Sequence, residues 1–305
     1  MDMASRTRSA AERIVLGLCV LFALTPASVQ ASAVDTYYEH TLMSAADARC
    51  HLFAPQLSTA LNVAKALSRG AALRSGIDEQ VLADTGARAE RRAAIEPCNS
   101  ADLATVADRE KSGFEVFSRL QAVSYKGDFR TWWVKRQSSA SGRVWNLYQP
   151  AEFGSDALTF GIAGSSGVSE LITVAQFADG ATPYVVRLVI RDKTRAARPY
   201  LDQRTARPGG KIPLSGRVTP RGATEAFLAE AKFAPDPLIR PANKNAAIGY
   251  RFPPAAARAI ASLDPREAIE IEFIFSSGGN YQVRKAYIEV GDFAAGRAFL
   301  VVAQR

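Results

Sequence analysis

The sequence predicts an α+β protein, with a helical region over residues 34–124 followed by an antiparallel β-sandwich or barrel-like region over residues 125–305 that includes a short helix. Two patterns predict it. Apolar residues recur at helical spacing up to about residue 122, and short alternating or apolar runs punctuated by Gly, Pro, Ser and Asp follow. The 305 residues are 48% apolar and 22% charged, which is a globular composition and long enough for two cores.

The N-terminus predicts export. Three arginines within the first 13 residues precede an apolar run of 11 residues at 14–24, and Ala31-Ser32-Ala33 offers small residues for cleavage. This is the layout of a secretory signal peptide over residues 1–33. The run is shorter than the roughly 20 residues that span a bilayer, although an uncleaved anchor is the alternative. We expect a periplasmic or secreted protein whose mature chain has no transmembrane segment.

A disulfide is predicted within the helical region. After processing, Cys50 and Cys98 are the two remaining cysteines, and such a pair in an exported chain is usually bonded. We expect the bond to join two helical hairpins near their ends. Cap residues, prolines and apolar spacing predict four helices, which begin at Asp35 or Thr36, at Pro55, near Ile77 and at Asn99 or Ser100.

The β region begins near residues 126–128, where Lys-Gly-Asp is a natural joint. Strands are predicted at 143–148, 157–163, 170–177 and 184–190, while 225–233 fits a helix or a strand. Pro253-Pro254 followed by AAARAIASL predicts a short helix. A hairpin is then predicted from the strand-like AIEIEFIF, the turn SSGGN and the strand-like YQVRKAYIEV. The last run, DFAAGRAFLVV, predicts a closing helix or strand.

Few residues suggest catalysis. His40 and His51 have no ligand-spaced partners, so we expect no metal and no cofactor. Glu270 and Glu272 could serve acid–base hydrolysis of glycans, but their alternation with apolar residues favours the solvated side of a sheet. The glycine-rich run 161–167 lacks the Lys-Ser/Thr ending of a phosphate loop, which favours a hairpin turn.

The sequence leaves the position of two adjacent tryptophans open. Trp132 and Trp133, beside Lys135 and Arg136, could form a ledge for sugars or peptides. Because adjacent strand residues face opposite ways, we expect one tryptophan in the core and the other at a domain interface.

The most pronounced polar feature of the sequence is a cluster of basic residues. The whole chain has a net charge of +8, and residues 187–221 contain ten basic side chains opposed locally only by Asp192 and Asp202. Such an excess favours an anionic partner, namely an envelope component or an acidic protein face, whereas nucleic acid is not expected for an exported chain. The alternative is a loop kept soluble by arginine. The candidate binding residues are Arg191, Lys193, Arg195, Arg198, Arg204 and Arg207.

The C-terminal part resembles the end of a known family. The order of three stretches is similar to that at the end of the invasion-associated locus B family. They are FPPAAARAIASL, the strand AIEIEFIF and Gly-Asp-Phe-Ala-Ala at 291–295. The resemblance covers about 50 residues, from Arg251 to Leu300. It implies a small exported β-rich envelope protein without catalytic residues.

Three functions are compatible with these patterns. We expect an exported, non-catalytic protein that binds an anionic envelope component or another protein. The first alternative is a cell-wall or glycan hydrolase whose carboxylates the sequence does not identify. The second is a carrier that holds a small ligand inside the β region.

Overall fold

The computed structural model describes residues 26–165, 167–241, 247–277 and 280–302. Four helices come first: α1 (Pro26–Cys50), α2 (Pro55–Arg74), α3 (Glu79–Ile95) and α4 (Ala101–Arg119). Antiparallel sheets and two further helices, α5 (Pro254–Ala261) and α6 (Phe293–Val302), follow. The predicted fold class is confirmed. Residues 1–25 of the expected signal peptide lie outside the described residues.

Local chemistry accounts for most of the helix starts. Pro55 occupies the first turn of α2, the Asp78 side chain accepts a hydrogen bond from the Gln80 amide at the start of α3, and Ser100 caps α4. The predicted start of α1 at Asp35 or Thr36 is wrong, because the helix already begins at Pro26. No Gly or Pro interrupts residues 27–50, so nothing local ends the helix upstream.

The helices enclose two small apolar clusters, and the disulfide closes one of them. Met43, Leu61 and Leu103 pack together with alanines of α1, α3 and α4. Cys50 at the end of α1 is bonded to Cys98 between α3 and α4, as predicted.

The strands form two antiparallel sheets. A seven-stranded sheet has the order β1-β2-β3-β4-β5-β9-β8, and a four-stranded sheet has the order β11-β10-β6-β7. The ambiguous stretch 225–233 supplies one strand to each sheet. The strands are β1 (Ala122–Lys126), β2 (Thr131–Lys135), β3 (Val144–Phe153), β4 (Asp156–Ser165), β5 (Val168–Gln176), β6 (Val185–Arg191), β7 (Thr224–Leu228), β8 (Ala231–Phe233), β9 (Ile248–Phe252), β10 (Ala268–Ser277) and β11 (Asn280–Glu289).

The two sheets share one aromatic-rich core. Trp132 and Phe160 from the larger sheet, Phe273 from the smaller one, and Phe293 and Phe299 from α6 are all buried in it. Helix α6 therefore closes the core at the C-terminus. Within the described part of the chain, no helix has both the length and the apolarity that crossing a membrane requires.

A buried ion pair joins the helical part to this core. The Arg74 guanidinium, near the end of α2, donates to both carboxylate oxygens of Asp292 at 3.1 and 2.8 Å, just before α6. Burial raises the pKa of Asp292, although the charge and hydrogen bond of Arg74 act against the rise. Removing either partner would leave the other charge buried and unpaired.

A buried glutamate fixes the turn between β1 and β2. The Glu289 carboxylate, at the end of β11, accepts the backbone amides of Asp128, Phe129 and Arg130 at 2.6, 3.0 and 2.9 Å. Glu289 is fully buried, so these three N–H groups replace the water that the charge would otherwise require. The carboxylate fits because Gly127 has no side chain: a Cβ there would lie 2.6 Å from it.

Replacing Cys50 and Cys98 with alanine should lower the free energy of unfolding by about 4 kcal/mol, because the bond spans 48 residues of the chain and restricts the unfolded ensemble. Urea denaturation of the oxidised protein and the double variant measures this difference. Reductant should destabilise the parent protein and leave the variant unchanged; equal stability of the two proteins would contradict the expectation.

Gly127→Ala should destabilise the fold by about 1–3 kcal/mol, because the new methyl group would force the Glu289 carboxylate off its three amides. Thermal and chemical denaturation measure the loss. Gly222→Ala is the control, since a Cβ at that turn meets nothing within 4 Å. Similar stabilities for the two variants would refute the role given to the Gly127 contact.

Candidate functional site

The basic segment, residues 187–221, begins in strand β6 of the four-stranded sheet and continues over the outer face of that sheet. Alternate apolar side chains of β10 face the core, while Glu270 and Glu272 lie on the opposite face. The short 3₁₀ helix Leu214–Arg217 of the basic segment contacts β10 and β11 on this side. The basic segment is thus held against a sheet face that presents carboxylates.

Seven of the ten basic side chains in the segment are paired with carboxylates. The pairs are Arg187 and Arg221 with Glu272, Arg191 with Glu267, Arg195 with Asp192, Arg204 with Asp202, and Lys211 and Arg217 with Asp128. Three of these five carboxylates are remote in sequence. The tertiary structure therefore adds three carboxylates to the two local ones, so that half of the ten positive charges are compensated.

Arg191 is buried beneath the surface of the segment. It is 5% exposed. Its Nε and Nη2 donate to the two Glu267 oxygens at 2.8 and 2.7 Å, and its Nη1 donates to the carbonyls of Ala196 and Ala197 at 2.6 and 3.0 Å. Its donors are used within the fold, so Arg191 fixes the start of the segment and does not contribute to the exposed surface.

The other candidate binding residues are exposed and fall into two groups. Arg195 and Arg204 are paired with the nearby Asp192 and Asp202, and the Arg204 side chain holds the pKa of Asp202 at about 2. The second group has no carboxylate partner among the described residues. Its members are Lys193, which donates only to the Ser262 carbonyl at 3.2 Å, and Arg198 and Arg207, whose side chains have no hydrogen-bond partner in the described structure.

A polar cleft of about 890 Å³ separates the basic segment from the helical part. Arg198, Lys211 and Arg217 line one side of this basic cleft, and Arg74 and the turn 76–80 between α2 and α3 line the other. Five basic and three acidic side chains line it in total. Its volume lies in the range of small-ligand sites, and Arg198 is the lining cation that forms no ion pair with the described residues.

Asp128 anchors the basic segment inside this cleft. Its oxygens accept hydrogen bonds from Lys211 Nζ at 2.6 Å and from Arg217 Nη1 at 2.8 Å. Burial alone would raise the pKa of Asp128, but the hydrogen bonds and charges of Lys211 and Arg217 outweigh burial and lower it. Because the Glu289 carboxylate fixes the same turn, Asp128 is held in position from both sides.

The expectation that Glu270 and Glu272 lie on a solvated sheet side is wrong. They are 5% and 1% exposed, because the basic segment and long neighbouring side chains cover them. The strand register places Arg187 of β6 and Lys285 of β11 directly opposite Glu272, and both contact its carboxylate. Arg221 donates to the same carboxylate at 2.9 Å.

The pKa values of the two glutamates shift in opposite directions. Burial and the neighbouring Glu272 raise the pKa of Glu270, although Lys285 Nζ, which donates to Glu270 at 2.8 Å, acts against the rise. Burial would also raise the pKa of Glu272, but hydrogen bonds and the nearby cationic charges of Arg187 and Arg221 lower it below its usual value. Ion pairs with three cations occupy this carboxylate, which leaves it poorly placed to activate water.

The remaining sequence motifs have structural positions. The glycine-rich run lies in the β4–β5 hairpin, where Gly161 approaches the Leu147 carbonyl too closely for any side chain. Trp132 belongs to the core and donates to the carbonyls of Glu289 and Val290, as expected for one of the pair. Trp133 is 45% exposed on the sheet surface.

Neither histidine lies in a cluster of potential ligands. His40 Nδ1 lies 3.3 Å from Ser68 Oγ, and His51 follows α1 in a left-handed conformation with φ of 54°. Across the described residues, no three His, Cys, Asp or Glu side chains are grouped as a metal site would require.

Comparison with protein-family models, with curated proteins and with solved structures finds no match to this chain.

Asp128→Asn should lower the free energy of unfolding by about 2 kcal/mol at pH 7, because two charge-assisted hydrogen bonds are weakened. The folded pKa of Asp128 is lowered, so its stabilisation is complete above the unfolded value of about 3.9 and is lost as pH falls through the folded pKa. The difference between parent and variant should therefore shrink on acidification. Denaturation at several pH values measures it, with the exposed Asp108→Asn as control; a difference independent of pH would contradict the assignment.

Proposed function

We propose that this chain is an exported, non-catalytic protein that binds an anionic component of the cell envelope through its basic segment and basic cleft. A periplasmic or secreted location is part of the proposal. The Cys50–Cys98 bond supports it, since disulfides persist in oxidising compartments. The signal-like N-terminal sequence and the resemblance to the invasion-associated locus B family agree with it.

The observation that favours an anionic partner is a set of exposed cations in one segment that have no carboxylate partner among the described residues. Lys193, Arg198 and Arg207 lie within 15 residues of one another and have no carboxylate partner in the described structure. The paired arginines around them hold the segment in place. A phosphate or carboxylate group that reached Arg198 at the cleft could be bound without breaking an existing ion pair.

Anionic phospholipid is a suitable probe of this surface. Each basic side chain near an anionic membrane contributes about 1 kcal/mol to the free energy of binding, and salt screens this contribution. Arg198→Ala/Arg207→Ala should therefore weaken binding to vesicles of phosphatidylcholine and phosphatidylglycerol by about 2 kcal/mol, or roughly 30-fold. Vesicle sedimentation at low and at physiological salt measures the affinity.

The matched control is Arg91→Ala/Arg109→Ala, which removes the same net charge from exposed positions on α3 and α4. If both double variants lose affinity equally, bulk charge and not this surface determines binding. Retention of the Arg198/Arg207 variant at the parent level on these vesicles and on an anionic polysaccharide column would overturn the proposal.

A further inference from the structure

A second surface combines an apolar groove with uncompensated cations. A groove of about 640 Å³ lies between α5, α6 and strands β5 and β9. Its apolar lining residues are Ile162, Val168, Leu171, Phe252, Leu300 and Val301. We refer to it as the α5–α6 groove. Its volume falls within the range of sites that bury most of a small organic ligand.

The rim of the α5–α6 groove exposes apolar side chains to solvent. Val168 is 63% exposed and Val301 is 65% exposed, and both line the groove. A solvent-exposed apolar rim leading into an apolar cleft favours a ligand with a hydrocarbon chain, because burying each methylene group from water is favourable.

Two arginines in the groove lack an anionic partner. Arg258, on α5, is exposed and makes no ion pair or hydrogen bond with the described residues. Arg297, on α6, is half-buried and donates one hydrogen bond, to the Ala257 carbonyl at 3.0 Å. Burial lowers the pKa of Arg297, and the neighbouring Arg258 charge lowers it further. The two guanidinium groups therefore repel each other, and most of their donors are unused.

The acidic side chains of the groove are already paired. Glu170 accepts from Arg143 Nε at 2.9 Å and from Arg251 Nη1 at 3.1 Å, and Glu230 lies 3.8 Å from Arg251. Neither carboxylate is paired with Arg258 or Arg297. An entering anion would relieve the repulsion between the two arginines and could accept hydrogen bonds from their planar guanidinium groups.

We propose that the α5–α6 groove binds a single-chain anionic amphiphile, a long-chain fatty acid, with its carboxylate at Arg258 and Arg297 and its hydrocarbon chain between α6 and strands β5 and β9. The proposal does not depend on the function of the basic segment, which lies elsewhere in the sequence and lines a different cleft.

Displacement of a fluorescent long-chain fatty acid by unlabelled palmitate tests the proposal on the full protein. Arg258→Ala/Arg297→Ala should weaken palmitate binding by about 10- to 100-fold, because charge-assisted hydrogen bonds to the carboxylate are lost. Arg91→Ala/Arg109→Ala removes the same net charge from exposed positions on α3 and α4 and should bind palmitate as the parent does.

A second variant does not depend on the arginines. Val301→Asp places a negative charge at a mostly exposed position on the rim, so it should fold normally and still weaken palmitate binding by roughly tenfold. Hexadecanol, which has the chain without the charge, should bind more weakly than palmitate to the parent and equally to the parent and the double arginine variant. Equal binding of palmitate and hexadecanol to the parent, or parent-like palmitate affinity in both groove variants, would overturn the proposal.

Discussion

The fold depends on a buried carboxylate that forms no ion pair with any of the described cations. Glu289 is fully buried, and its charge is compensated by three consecutive backbone amides of the turn between β1 and β2. Because β11 belongs to the smaller sheet and β1 and β2 to the larger, this contact fixes one sheet to the other at their edge. The main chain of Glu289 adds hydrogen bonds to Gln149 and Trp132, so the same residue also positions β3 and the core tryptophan.

The position of the basic segment follows from the same turn. Asp128 lies within it and receives Lys211 and Arg217, while the buried Arg191–Glu267 pair fixes the start of the segment. With both ends bound to the sheet, the middle of the segment is presented to solvent above the basic cleft. Ion pairs therefore anchor the segment on both sides of Arg198 and Arg207, which have no carboxylate partner among the described residues, and this anchoring reduces the entropy lost when they bind an anion.

The sequence predicts elements that depend on local patterns and misses contacts between distant residues. The helical spacing, Pro55, the cap at Ser100 and the cysteine count were sufficient for α2 to α4 and the disulfide, but not for the start of α1. The basic run appeared unopposed because its partners Asp128, Glu267 and Glu272 are far away in the chain. Glu270 and Glu272 alternate with core residues as solvated side chains do, and only the segment folded over them buries them. The α5–α6 groove combines residues from 162 to 301, so no local motif could indicate it.

Charged residues that are paired with an opposite charge stabilise the fold, whereas charged residues without such a partner are available for binding. Breaking a buried pair such as Arg191–Glu267 leaves an unpaired buried charge and costs about 3–5 kcal/mol, whereas exposed pairs contribute at most about 1 kcal/mol. Exposed cations that have no partner among the described residues, such as Arg207 and Arg258, contribute still less to stability. Their removal should change binding while the fold persists, so each of the two proposed anion sites can be examined by substitution without disturbing the network of buried charges that positions it.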